Sequence, residues 1–113
     1  MNKVTLLGRL TKDPEIKCTE ANNTTVAKFT LAVNRKFAKK GEEKQTDFIN
    51  IVVWNKLADT VAQYLVKGKQ IIVIGRIQTR VWTDKDNSKH YVTEVIGEEI
   101  EFVDSKTTQE NTK

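Results

Sequence analysis

The stretch DFINIVVWNKLADTVAQYLVKG (residues 47–68) holds two periodicities back to back, and the change between them decides the fold. Up to Asn55, Ile49, Ile51 and Val53 share one parity, while Phe48, Asn50, Val52 and Trp54 share the other. Successive side chains of a strand face opposite sides. This half therefore predicts a strand with an aliphatic core face and a second face carrying two aromatics. From Asn55 onward the spacing changes, and Leu57, Val61 and Leu65 recur every four residues, as on one face of a helix. Asn55 can cap its start, and Gly68 can end it in the left-handed conformation.

No other stretch has helical spacing. Before it lie VTLLGRL (4–10), which reads as a strand, a break at Asp13-Pro14, and the alternating TTVAKFTLAVN (24–34). A polar loop around Gly41, FAKKGEEKQ (37–45), leads into the quoted segment. After it come a long strand, QIIVIGRIQTRVW (70–82), a turn, TDKDNSK (83–89), and a returning strand, HYVTEVIGEEIEFV (90–103). Three strands, one helix and two more strands is the chain order of an all-β OB-fold, a five-stranded Greek-key barrel with one helix between strands 3 and 4. Gly8 and Gly75 sit inside apolar strands in matching LGR and IGR contexts, where glycine marks a bulge or a barrel bend. Residues 1–103 are expected to form this one domain, and 104–113, DSKTTQENTK, a disordered polar tail.

The totals agree with a small binding domain. The 113 residues suffice for one modest core. Net charge is +4 overall, but residues 1–97 alone carry +7, which favours an anionic partner. No segment approaches the ~20 apolar residues of a membrane span. A secretory signal is not expected from the start MNKVTLLGRL. Cys18 is the one cysteine, so no internal disulfide can form and a reducing cytoplasm fits.

The second face is where function is sought. On the strand 70–82, Ile71, Val73, Ile77 and Val81 share a parity that reads as core, opposite Arg76, Gln78, Arg80 and Trp82. A tryptophan in a small β-domain ordinarily packs in or beside the core. Here Phe48, Trp54 and Trp82 all share a face with polar or basic neighbours on two separate strands, which predicts an exposed aromatic platform. Phe37 has core parity but lies where its strand dissolves into a loop, so either orientation is open to it. Rings interleaved with guanidinium and ammonium groups suit single-stranded nucleic acid. Each unpaired base offers a π-face worth ~1–3 kcal/mol in stacking whatever the sequence. Phosphates are neutralised by Lys and Arg with release of counterions. Candidate phosphate contacts are Arg9, Arg35, Lys36, Lys39, Lys40, Lys56, Lys67, Lys69, Arg76 and Arg80.

Catalytic equipment is missing from the pattern. His90 is the one histidine, with no cysteine pair or clustered carboxylates at ligand spacing, so neither a metal nor a cofactor is expected. No phosphate-cradling G-x-x-x-x-G-K-[ST] loop occurs. Glu98, Glu99 and Glu101 read as a solvated strand edge. The chain reads as a binder, not an enzyme.

The stretches MNKVTLLGRLTKDPE, VAKFTLAVNR, DFINIVVWNKLADTVAQYLVKG, IGRIQTRVWTD and YVTEV, in this order, resemble bacterial single-stranded DNA-binding proteins over residues 1–103. The resemblance implies an OB-fold that assembles as a homotetramer and binds single-stranded DNA without sequence preference, protecting it in replication, recombination, repair or DNA uptake. It implies base stacking by Phe37, Phe48, Trp54 and Trp82, and it puts Lys56, Lys67 and Arg80 at basic DNA-contact positions. Arg9 and Arg35 complete the phosphate set. Ile49, Asn50 and Gln78 stand where some members carry histidine or basic residues, and Tyr64 matches a helix tyrosine read as packing. The sequence closes on TTQENTK, without the acidic tip ending in Pro-Phe that many members use to recruit enzymes, so partners through such a tip are not expected. Two other readings stay open: an RNA-binding or replication-restart module of the same fold, and a structural protein whose exposed aromatics bind other proteins.

Overall fold

Six strands and one helix follow from this pattern in a computed structural model, which describes residues 1–19, 21, 23–36, 41, 43 and 45–103. They are β1 (Val4–Leu10), β2 (Glu15–Thr19), β3 (Thr24–Asn34), β4 (Thr46–Trp54), α1 (Asn55–Tyr64), β5 (Gln70–Thr83) and β6 (Lys89–Phe102). The sheet order is β1-β5-β6-β4-β3-β2, and an additional β1–β3 pairing closes β1, β5, β6, β4 and β3 into a ring. That ring is the expected five-stranded barrel. The sixth strand, β2, stands outside it as a hairpin partner of β3, with Glu15 opposite Lys28 and Thr19 opposite Thr24. All five β2 residues are exposed, so the strand adds no side chain to the core. The β4–β6 pairing is parallel, through Ile51↔Val95 and Val52↔Ile96, and every other pairing is antiparallel.

The core is filled from the inward parity of each strand. Leu31, Ile51, Val53, Ile71 and Val73 are fully buried, and α1 plugs one end of the barrel with Ala58 and Val61. Two glycines permit the tight closure. A Cβ on Gly8 would collide with the Ala32 carbonyl oxygen, and one on Gly75 with that of Ile96. Gly75 also sits at the register shift between β5 and β6, so here it does mark a bulge.

The helix is shorter than its spacing suggested. It ends at Tyr64, with Leu65 already extended (φ −101°, ψ 135°). Gly68 is left-handed as expected (φ 88°), but it lies in the turn beyond the helix and not at its end. That turn is fixed from outside: Gly68 N–H donates to the Leu10 carbonyl at 2.8 Å, and Lys67 N–H to the Asp13 carboxylate at 2.8 Å. Asn55 is not the cap: Trp54 takes the cap position, with no side-chain cap bond, and Asn55 is the first helical residue. It takes a positive φ of 58°, a conformation asparagine tolerates, at the sharp turn from β4 into α1. Tyr64 does not pack inward: it is exposed, with its ring edge-on to Phe102 at 6.1 Å.

From Ile77↔Val95, where Val95 still pairs with Ile51 of β4, β5 and β6 leave the ring as a two-stranded arm that ends at Thr83↔Lys89. Asn2 supports its base, its side-chain amide exchanging two hydrogen bonds (2.7 and 2.9 Å) with the backbone of Ile77. The barrel interior ends at the base of the arm, where Val95 is the last core residue of β6. Ile77 and Val81, expected in the core from their parity, are therefore 45% and 54% exposed.

Gly75→Ala should destabilise the fold by ~1–3 kcal/mol, the usual cost of forcing a group into a packed site. Urea unfolding checks this, and an unchanged midpoint would remove the close approach as a constraint.

Candidate nucleic-acid interface

The outward row of β4 is Phe48, Asn50, Val52 and Trp54, as the alternation predicted. Phe48 is 65% and Trp54 48% exposed. Six residues separate them, about 20 Å at the rise of a strand, so they mark the two ends of one wall. Val52 between them is buried, because it lies beside Ile96 in the parallel pairing. Trp82 is 45% exposed on the arm, on the face it shares with Arg80. None of the three lies in the core. Phe37, with Lys39 and Lys40, lies outside the described residues, as does part of the loop 36–46.

A groove of ≈ 350 Å³ runs over this wall. Its floor includes Lys28, Thr30, Asn50, Val52, Arg80 and Glu94, and its rim includes Lys12, Asp13 and Glu15. Thr30 donates to the Asn50 side-chain oxygen at 3.0 Å, leaving the Asn50 amide nitrogen for another acceptor. Lys12 and Lys28 were not among the sequence candidates. Lys28 could have been found from parity, since it alternates outward with Val26 and Thr30. Lys12 follows the strand in a bend, where parity gives no guidance.

The five proposed phosphate contacts do not form one patch. Arg9 donates to the Gly68 carbonyl at 3.0 Å, which puts it beside Lys67 at the turn after α1. Lys56 follows Trp54 by two residues, and both Lys56 and Lys67 are exposed, with no salt bridge among the described residues. Arg35 lies at the far end of β3 and is held by protein groups: Asp47 accepts at 2.9 Å and Gln45 at 2.7 Å. The hydrogen bond from Arg35 holds the Asp47 carboxyl below its usual range, and the Asp47 carboxylate raises the Arg35 pKa in return. Arg80 is paired with Glu94 at 3.2 Å, on the groove floor. A phosphate reaching Arg35 or Arg80 therefore competes with a resident carboxylate, whereas Lys56 and Lys67 are open to it.

The arm's tip is built around Asp84. Its Oδ1 accepts N–H bonds from Asp86 (2.9 Å) and Ser88 (3.0 Å), and its Oδ2 lies 2.7 Å from His90 Nε2. The His90 bond is the largest cause holding the Asp84 carboxyl below its usual range, followed by the Ser88 N–H. Asn87, left-handed at φ 64°, completes the turn. The imidazole of His90 stacks on the Trp82 indole, with centroids 4.3 Å apart and planes 17° apart. On the opposite face of the arm Tyr91 is 77% exposed beside Val81, an aromatic that alternation alone did not single out.

This sheet, plug and wall agree with what the chain is similar to. The profile of the Single-strand binding protein family matches residues 1–103. Single-stranded DNA-binding protein 3 of Clostridium acetobutylicum is 52% identical over 111 residues, covering 98% of this chain and 76% of the relative. The single-stranded DNA-binding protein of Clostridium tetani is 51% identical over 104 residues, 92% of this chain and 71% of the relative. Among solved structures, a Plasmodium falciparum SSB complex with single-stranded DNA superposes with a TM-score of 0.81 at 32% identity, over 92% of this chain and 96% of that one. The fold is thus the OB-fold barrel of this family, and the chain belongs to the single-strand binding protein family. Among the described residues no group of three His, Cys, Asp or Glu side chains could hold a metal, and no helix is long and apolar enough to cross a membrane.

The lowered carboxyls set a pH direction. Each stabilises the folded state above the ordinary carboxylate pKa, and that contribution is lost as pH falls through the depressed folded value. Carboxyl carbon shifts followed by NMR should give Asp84 and Asp47 midpoints below the ordinary Asp value of about 3.9. Midpoints at or above it would contradict the hydrogen bonds to His90 and Arg35.

Proposed function

We propose that this protein binds single-stranded DNA without regard to sequence and shields it during replication, recombination, repair or uptake, with no catalytic step of its own. The observation that carries this is the outward placement of Phe48, Trp54 and Trp82. Three rings about half or more uncovered on one small barrel, none of them in the core, match the chemistry of an unpaired base. In this reading Phe48, Trp54, Trp82 and, from the loop after β3, Phe37 stack bases. Lys56, Lys67, Arg9, Arg80 and Arg35 meet phosphates, with Lys12 and Lys28 added from the groove. Arg35 and Arg80 engage by giving up Asp47 and Glu94, so each contributes less than an unpaired lysine.

The working unit is proposed to be a homotetramer. Supporting this are the apolar groups a lone chain leaves wet: Leu7, Ile77, Val81 and Tyr91 are all 45% exposed or more. Multi-angle light scattering should give four chains per particle, and a monomer at micromolar concentration would oppose it. Residues 1–103 are proposed as the DNA-binding domain. A reducing cytoplasm is proposed as the compartment, supported by a lone free thiol, Cys18.

Saturating oligo-dT should quench tryptophan emission, and Trp82→Ala should cost ~1–3 kcal/mol of affinity with little loss of stability. Unchanged emission at saturation, or unfolding of the variant, would refute the stacking roles of the two indoles. Replacing Lys56 should reduce the slope of log K against log salt by roughly 0.7, the increment for one phosphate no longer neutralised. A competing RNA oligomer of equal length that binds as tightly as DNA would favour the RNA module instead.

A further inference from the structure

Trp82 is not a free ring. His90 lies directly across the β5–β6 ladder from it and covers one face of the indole at 4.3 Å, nearly parallel. The imidazole is itself held, since Nε2 lies 2.7 Å from the Asp84 carboxylate. That carboxylate is pinned in turn by the Asp86 and Ser88 N–H groups of the turn. On the other side of β5 the situation is reversed. The β1 pairing ends at Val4↔Gly75, and only the Asn2 side chain reaches Ile77. Among the described residues the outer edge of β5 at Trp82 therefore has no neighbouring strand. Among the described residues, one face of the indole is occupied by His90 and no ring is stacked on the other.

We propose that His90 is a positioning residue for DNA binding: backed by Asp84, it fixes the indole of Trp82 so that its single open face receives one base, completing a three-ring stack of base, indole and imidazole. This rests on the stacking role proposed for Trp82. The physical reason is pre-organisation. A wet, unbacked indole samples several rotamers and loses that freedom when a base stacks on it. A ring already stacked against a tethered neighbour has lost most of it on folding. The geometry also limits occupancy, because the imidazole fills the place where a second base would sandwich the ring.

The test separates this from the function it rests on. Affinity for a labelled dT oligomer is measured for the wild type, Trp82→Ala, His90→Ala, His90→Phe, Asp84→Asn and the Trp82→Ala/His90→Ala double variant. His90→Ala is expected to weaken binding roughly threefold to tenfold, the range for removing a stacked ring and the pre-organisation it provides. Asp84→Asn should fall between it and wild type, and His90→Phe, which restores a ring, should recover most of the loss. In the Trp82→Ala background, removing His90 should change nothing further. The salt slope should be the same with and without His90, since every phosphate partner remains in place. With Trp54→Phe leaving Trp82 as the one emitter, His90→Ala should lower the indole's fluorescence anisotropy in the free protein. The inference is overturned by an unchanged or improved affinity in His90→Ala, by equal losses with and without Trp82, or by a reduced salt slope, which would make His90 a phosphate ligand. If Trp82→Ala itself binds as tightly as wild type, the stacking role fails and this inference with it. If Trp82→Ala is weak but His90→Ala is not, only the inference fails.

Discussion

Two residue pairs, Arg9↔Ala32 and Leu10↔Leu31, turn a six-stranded sheet into a closed barrel. Everything functional depends on that closure. Once the ring is shut, each strand has one parity committed to a small sealed core and the other committed to the outside. Leu31, Ile51, Val53, Ile71 and Val73 are fully buried on the inside. Trp54 and Phe48 have the opposite parity to Ile51 and Val53, so they stand on the wall. The closure is tight enough to exclude even a methyl group at Gly8. It is reinforced where β1 ends, through Leu10 and Asp13, by the turn that follows the plug helix.

The arm obeys a different rule. Beyond Gln78↔Glu94 two strands run on without a barrel behind them, so both faces are wet, and the sequence uses them differently. One face carries Arg80, Trp82 and His90. The other carries Ile77, Val81 and Tyr91. The first has the composition of a nucleic-acid surface, the second that of a protein contact. A single hairpin can therefore serve DNA on one side and a neighbouring subunit on the other. Its register, which puts Trp82 opposite His90 and Arg80 opposite Val92, ties the two faces together.

Much of this was legible in the sequence because it depends on local period. The five barrel strands, the single helix after the third long strand and the outward aromatics of β4 and β5 all follow from alternation. What was not legible depends on partners distant in the chain. Gly68 sits in a separate turn beyond the helix because Leu10 and Asp13 hold that turn, and neither is near it in sequence. Ile77 and Val81 look like core by parity, and only the extent of the barrel decides that they are not. Arg35 and Arg80 read as free cations until the register brings Asp47 and Glu94 to them. His90 looked idle because its role is defined by the residue across the hairpin. Strand β2 buries neither face, and its place is set by its pairing with β3.

The central claim is that the outward rings, and not the opposite face of the arm, meet the bases. Photocrosslinking with an oligonucleotide carrying 5-iodouracil, followed by mass mapping of the attached peptides, tests it most directly, because the excited base reacts with the ring it is stacked on. Crosslinks at Phe48, Trp54 and Trp82 are predicted. Crosslinks confined to Tyr91 and its neighbours, with those three rings unmodified, would contradict the account.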